Sequence, residues 1–220
     1  MGFDYCYDKD YYDALKTKNA KLLIGNLSQP LDFQQHLLRF IENHDEPRAA
    51  SVFGYEHHKL AALLLMTSPG AKMYYMGQFE GYKHFTPVHT SVAASDKLDP
   101  VISDYYLSLR QRLHLITSDV SDWCLLKPET ELSIMTKSTN EVIVYCWFNQ
   151  NDKYLSIANL SSRRKRIKVL LPDDYKQLAT NRHQVIFNTK SIDQSPSIHT
   201  KDNVIISGLK SYQGLVIKLK

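Results

Sequence analysis

A change of rhythm about halfway along this chain limits its fold more than any other feature. Up to about residue 116, segments of strand length alternate with segments of helical character. Beyond that point only strand-length runs follow one another. Alternating strand and helix implies parallel strands joined by crossover helices, whereas short strands separated by turns make antiparallel sheets. The sequence therefore predicts two domains of different class, residues 1–116 and 117–220, with the boundary near Thr117-Ser118. A length of 220 residues is enough for two modest domains, each with its own core.

In the first half, residues 2–7 form an aromatic strand and residues 11–16 open a helix. The polar stretch containing Gly25, Asn26 and Pro30 reads as a loop. Residues 37–41 make a second strand. Residues 56–67, rich in Ala and Leu and almost wholly apolar in their second half, predict a buried helix that Ser68-Pro69-Gly70 stops. Residues 71–76 form a third strand. Asp99-Pro100 then offers an N-cap and a first-turn proline. Val101, Ile102, Tyr105, Tyr106, Leu109 and Leu113 share one face of the helix that follows, which runs to about Leu115. In the second half, strands at 141–148 and 153–159 flank the polar turn Asn149-Gln150-Asn151-Asp152. Further strands at 167–171, 184–188, 204–207 and 215–219 predict an antiparallel β-sandwich.

Composition narrows the classes of function. A net charge of +4 is mild, and its densest run, Arg163-Arg164-Lys165-Arg166, lies between apolar strands and reads as a solvated turn. Neither a nucleic acid nor a membrane is expected as partner, and no apolar stretch approaches the ~20 residues that span a bilayer. Cys6, Cys124 and Cys146 are too few and too scattered for a disulfide framework or a zinc site. Their neighbours suggest buried, strand-borne thiols. The odd count and the lack of a signal-like start at Met1-Gly2-Phe3-Asp4 favour a cytoplasmic location.

Chemistry is concentrated at one place. The apolar run Leu37-Leu38-Arg39-Phe40-Ile41 ends in Glu42-Asn43-His44-Asp45-Glu46, and Pro47-Arg48 stops the strand. An amide, an imidazole and a carboxylate on the C-terminal tip of a buried strand are placed where α/β barrels keep their catalytic groups. Taken alone, Asn43-His44-Asp45 also fits a plain strand-end turn in which Asp caps the next helix. Alternation along the strand turns Glu42 away from Asn43, toward a structural ion pair. Glu46 is undecided. Arg48 fits a carboxylate partner at a pocket rim and a solvated helix start equally well. His57-His58 suggests a metal site, but adjacent helix positions do not face each other, so a surface or interface role is expected. Tyr82, His84 and Phe85 suit sugar stacking or anchoring of their own loop.

Three stretches, in order, resemble the α-amylase family of glycoside hydrolases. Residues 2–9 are similar to its sixth barrel strand. Residues 38–48 carry Phe40-Ile41-Glu42-Asn43-His44-Asp45, similar to the seventh-strand signature Phe-x-x-Asn-His-Asp. Residues 69–81, with Pro69-Gly70 and Tyr75-Met76-Gly77-Gln78, are similar to the eighth strand and its loop. Residues 117–220 resemble the sandwich that follows the barrel. The resemblance thus implies a partial (β/α)8 TIM barrel, strands six to eight, followed by an antiparallel β-sandwich.

The same resemblance implies a retaining mechanism, with nucleophile and acid/base about 5–5.5 Å apart across the scissile bond. It makes Asp45 the family's third carboxylate, the transition-state stabiliser, and His44, Asn43 and Arg48 substrate-binding groups. The family's nucleophile Asp, on strand four, and acid/base Glu, on strand five, have no counterpart here, so inactivity of the chain alone is expected. No cofactor is expected. Calcium is common in the family, but its usual ligands match no residue of this chain. The implied partners are an α-glucan or oligosaccharide and the N-terminal half of the barrel. Two alternatives stand beside this reading: a non-catalytic carbohydrate-binding or interaction module, and one half of a split amylase.

Overall fold

A computed structural model describes residues 2–90, 95–117, 120–130, 140–149, 152–172, 183–201 and 204–219. The chain divides into two compact units, Met1–His114 and Leu115–Lys220.

In the first unit, β1 (Cys6–Tyr7), β2 (Leu37–Arg39) and β3 (Ala71–Lys72) form a parallel sheet in that order. Cys6 pairs with Leu37 and Leu38 with Ala71. Strands β1 and β3 are only two residues long, shorter than the predicted six. Helix α1 (Lys9–Lys16) starts where Asp8 accepts the Tyr11 N–H at 3.1 Å.

The polar stretch predicted as loop is helical instead. Asn19 caps α2 (Ala20–Leu27) through the Leu22 N–H, and α3 (Leu31–Gln35) begins after Pro30. Ala20, Leu23 and Leu27 bury one stripe of α2, and Gly25 lies on its open side, where its low helix propensity is tolerated. A short α4 (Ala49–Val52) leads into α5 (Tyr55–Thr67). Buried residues surround α5 on every side, as its apolar second half requires. Asp99 caps α6 (Pro100–Leu113) through the N–H groups of Val101 and Ile102.

Beneath the sheet lies a polar node. Arg39, fully buried, donates to Asp8 at 2.9 Å, to Asn26 and Gln34 at 3.1 Å each, and to the Pro69 carbonyl at 2.8 Å. Four partners leave the cation fully compensated, which a buried charge needs.

The second unit holds two antiparallel sheets. One has the order β4 (Val120–Leu126), β6 (Val142–Asn149), β7 (Asp152–Asn159), β12 (Gly214–Leu219), β9 (His183–Asn188). The other runs β10 (Ile198–Lys201), β11 (Val204–Leu209), β8 (Lys165–Leu170), β5 (Glu129–Thr130). Both contribute to one apolar core, with Val144, Leu155 and Ile217 from the first and Ile167, Val169 and Ile205 from the second. Of the three thiols predicted to be buried, only Cys146 is; Cys124 is half-buried and Cys6 exposed, because the side of β1 that bears it is uncovered.

Candidate active site

The segment after β2 changes character residue by residue. Phe40, Ile41, Glu42 and Asn43 are buried, His44 is half-exposed and Asp45 is exposed, its side chain at 72%. Asn43 makes the turn. Its Oδ1 accepts the N–H groups of Asp45 and Glu46, each at 2.9 Å, so the side chain stands in for a backbone acceptor. This closure projects the Asp45 carboxylate outward, where His44 Nε2 lies 3.2 Å away.

Glu46 holds the turn from the other side. Lys9 reaches its carboxylate at 3.0 Å and Lys16 at 3.5 Å, both from α1. Burial opposes ionisation of Glu46, but the bond from Lys9 and the positive charge around it outweigh that, so its carboxyl lies below the ordinary range. The signal was present in sequence: Lys9 and Lys16 lie two helical turns apart on one face. What the sequence lacked was the partner.

Glu42, three residues past the end of β2, makes the structural ion pair expected of it. It accepts the Ala49 N–H at 2.6 Å and faces Arg48 at 3.2 Å. Burial pushes its carboxyl up to about 7, against the opposing influence of the Ala49 N–H and the Arg48 charge.

Arg48, which the resemblance made a substrate-binding group, is itself buried. Besides Glu42 it engages the Met76 carbonyl at 2.7 Å and lies 4.9 Å from the Tyr75 ring centroid. Gly77 makes room for it. At φ +87° a Cβ there would sit 2.3 Å from the Arg48 guanidinium and 2.3 Å from the Tyr82 ring. The guanidinium thereby joins the β2 loop to the loop after β3.

That second loop is anchored from inside. Gln78, fully buried, accepts the Tyr75 N–H at 3.3 Å and donates to the Tyr106 hydroxyl at 2.9 Å. The same hydroxyl lies 2.9 Å from His58 Nε2. His57 and His58, predicted at a surface or interface, are both buried, and burial lowers each to about 4. The prediction failed because Glu56 and Lys59 take the half-exposed side of the first turn of α5, which leaves His57 and His58 on its buried sides. Tyr82 lies against Arg48, and His84 is bound to Asp96 at 2.8 Å, so both anchor their loop, while Phe85 is exposed. Among the described residues no three His, Cys, Asp or Glu side chains are grouped so that they could hold a metal ion.

A parallel sheet carrying one exposed carboxylate and an imidazole on the tip of its middle strand is laid out as in α/β enzymes that work at strand ends. The family model "Alpha amylase, catalytic domain" matches residues 7–186, and the chain belongs to the alpha-amylase family of glycoside hydrolases. Alpha-amylase MalA of Haloarcula japonica is 26% identical over 168 residues, 73% of this chain and 24% of that protein. A maltogenic alpha-amylase, AmyB, from Thermotoga neapolitana superposes with a TM-score of 0.70 at 17% identity, covering 99% of this chain and 51% of that one. An alpha-amylase from Geobacillus thermoleovorans complexed with acarbose gives a TM-score of 0.70 at 18% identity, covering 100% and 48%. The chain therefore spans about a quarter of the curated relative and about half of each solved structure.

Proposed function

We propose that these residues form the C-terminal part of a retaining glycoside hydrolase acting on α-glucans, with Asp45 as transition-state stabiliser. In this reading the parallel sheet supplies the last three strands of an eight-stranded barrel, and the two antiparallel sheets are a following sandwich. One observation carries it: within a family-matched segment, a single carboxylate is held outward on a turn clamped by Asn43, Glu46 and Arg48. Asp45 would accept hydrogen bonds from sugar hydroxyls and oppose the positive charge that develops on an oxocarbenium-like centre. His44 would donate to the same ring, and Asn43 orients both through the turn. Arg48 contributes by fixing the two loops.

The nucleophile and the acid/base would come from the other barrel strands, supplied by sequence beyond this segment or by a second chain. Glu42 and Glu46 do not replace them, being engaged with Arg48 and with Lys9 and Lys16. The 220 residues alone should release no reducing sugar from maltooligosaccharides. A non-catalytic sugar-binding module is less well supported, since Tyr145 and Trp147, the aromatics that would form its binding strip, are buried.

The test restores the remaining barrel strands by fusion or co-expression and compares Asp45→Asn with the parent. The variant keeps shape but loses charge, and kcat should fall about 10²–10³-fold, the range for one preorganised electrostatic contact. Unchanged kcat would remove Asp45 from the mechanism.

A further inference from the structure

Three thiols are too few for a disulfide framework, yet the sheet register brings two of them side by side. Cys124 on β4 and Cys146 on β6 lie directly opposite across antiparallel strands, 22 positions apart in sequence. The register runs unbroken from Asp122 to Leu126, and alternation along each strand then puts both cysteines on one face. That face is the core side: Cys146 belongs to the buried core of the second unit, and Cys124 packs against it. The Cys146 thiol leans across to β4 and donates to the Cys124 carbonyl at 3.8 Å. Burial and the Asp122 charge raise the Cys124 thiol above its ordinary value, and a hydrogen bond between it and the Cys146 thiol works against them. The two sulfurs are therefore neighbours, and both are reduced.

Residues opposite one another in an antiparallel pair have Cα atoms about 4.5–5.5 Å apart, inside the ~4.4–6.8 Å that a disulfide spans. Their Cβ atoms stand about 4.5–5.5 Å apart, against about 3.5–4.5 Å in a bridge, so closure needs the strands to draw together slightly. β4 can supply that movement, because it ends the strand order of its sheet among the described residues. Access differs between the two sulfurs. Cys124 is half-buried and Cys146 wholly buried, which makes Cys124 the one that an oxidant meets and Cys146 the one that resolves the product.

We propose that Cys124 and Cys146 are a modification site, a dithiol that hydrogen peroxide converts to a cross-strand disulfide. The Cys124 thiolate attacks one peroxide oxygen, the O–O bond breaks, and the departing hydroxide takes up a proton to leave as water. Cys124 is then a sulfenic acid. The Cys146 sulfur attacks the Cys124 sulfur, its proton goes to the sulfenic hydroxyl, and the S–O bond breaks as a second water leaves. Two thiols have lost two hydrogens with their two electrons, and one peroxide has become two waters. Cys6, exposed on β1, is paired with Leu37 and so has no thiol across its register to resolve it. The bond ties the edge strand β4 to the rest of its sheet, and the site stands independently of the glycoside reading.

The test uses the whole chain carrying Cys6→Ser, a change at an exposed position that leaves only the proposed pair. The reduced protein is treated with hydrogen peroxide at mildly alkaline pH, where more of the Cys124 thiol is ionised, and the reaction is stopped with catalase. Thiols are then counted in guanidinium and the intact mass is measured. Both thiols should disappear in a monomer whose mass is lower by two hydrogens, and peptide mapping should join the Cys124 and Cys146 segments. Dithiothreitol should restore both thiols. With Cys146→Ala added, no resolving thiol remains, and Cys124 should instead be trapped by dimedone as its sulfenic acid. Should that second variant fail to fold, the peptide map of the Cys6→Ser chain decides alone. Two thiols that persist, a disulfide formed only between chains, or oxygen added to Cys124 while Cys146 still titrates would overturn the proposal.

Discussion

Replacing Glu42 by Gln tests whether burial or the Arg48 charge governs the group beneath the exposed turn. The carboxyl is only 1% exposed, and its ordinary value near 4.5 is pushed up to about 7. Its approach to Arg48, at 3.2 Å, lacks hydrogen-bond geometry on the facing oxygen, which is why burial prevails. An acid held above its unfolded value gives most stability below about pH 4.5, and loses it as pH rises toward 7. At 1.36 kcal/mol per unit, a shift of that size is worth about 3 kcal/mol. Glutamine keeps an acceptor for the Ala49 N–H and cannot titrate. The stability advantage of the parent over Glu42→Gln should therefore shrink by about 3 kcal/mol between pH 4.5 and pH 7.5. Urea unfolding followed by circular dichroism at 222 nm reads this directly, since the six α-helices found among the described residues lie in the first unit. Other titrating groups are common to both proteins and cancel in the difference. An advantage that stays flat or grows with pH would show that Arg48 keeps Glu42 ionised and would refute the reasoning.

Asn43→Ala removes the acceptor of two backbone N–H groups, so in the completed enzyme kcat should drop while the melting temperature moves by only a few degrees. His57 and His58, lowered to about 4 from 6.5, contribute stability that is present above pH 6.5 and lost as pH falls toward 4; His57→Leu should make the acid limb of a stability–pH curve shallower. Gly70→Ala should cost more than about 2 kcal/mol in denaturant unfolding, because φ there is +86° and the new methyl would lie 2.6 Å from the Gln34 and Leu37 carbonyls.

Local features were legible in the chain. The capped start of α6 at Asp99-Pro100, the apolar interior of α5 and the strand tip at Asn43-His44-Asp45 depend on neighbours a few residues away. Helices α2 and α3 were masked by Gly25, Asn26 and Pro30, although the buried Ala20, Leu23 and Leu27 have helical spacing. Partners distant in sequence were not legible. Arg48 meets Met76 across 28 positions, and His58 meets Tyr106 across 48. Strand length in β1 and β3 depends on which neighbours pair with them, and no local pattern encodes that.

Arg39 also bears on how such a sequence can drift. Its guanidinium draws together the cap of α1, one residue each of α2 and α3, and the turn after α5. Replacing Asp8, Asn26 or Gln34 singly leaves a buried donor unanswered, and a lysine at 39 has neither the reach nor the planar fork to serve all four acceptors. Positions 8, 26, 34 and 39 should therefore be inherited as one unit, exchanged together or not at all. The exposed faces of the helices they join remain free to change one residue at a time.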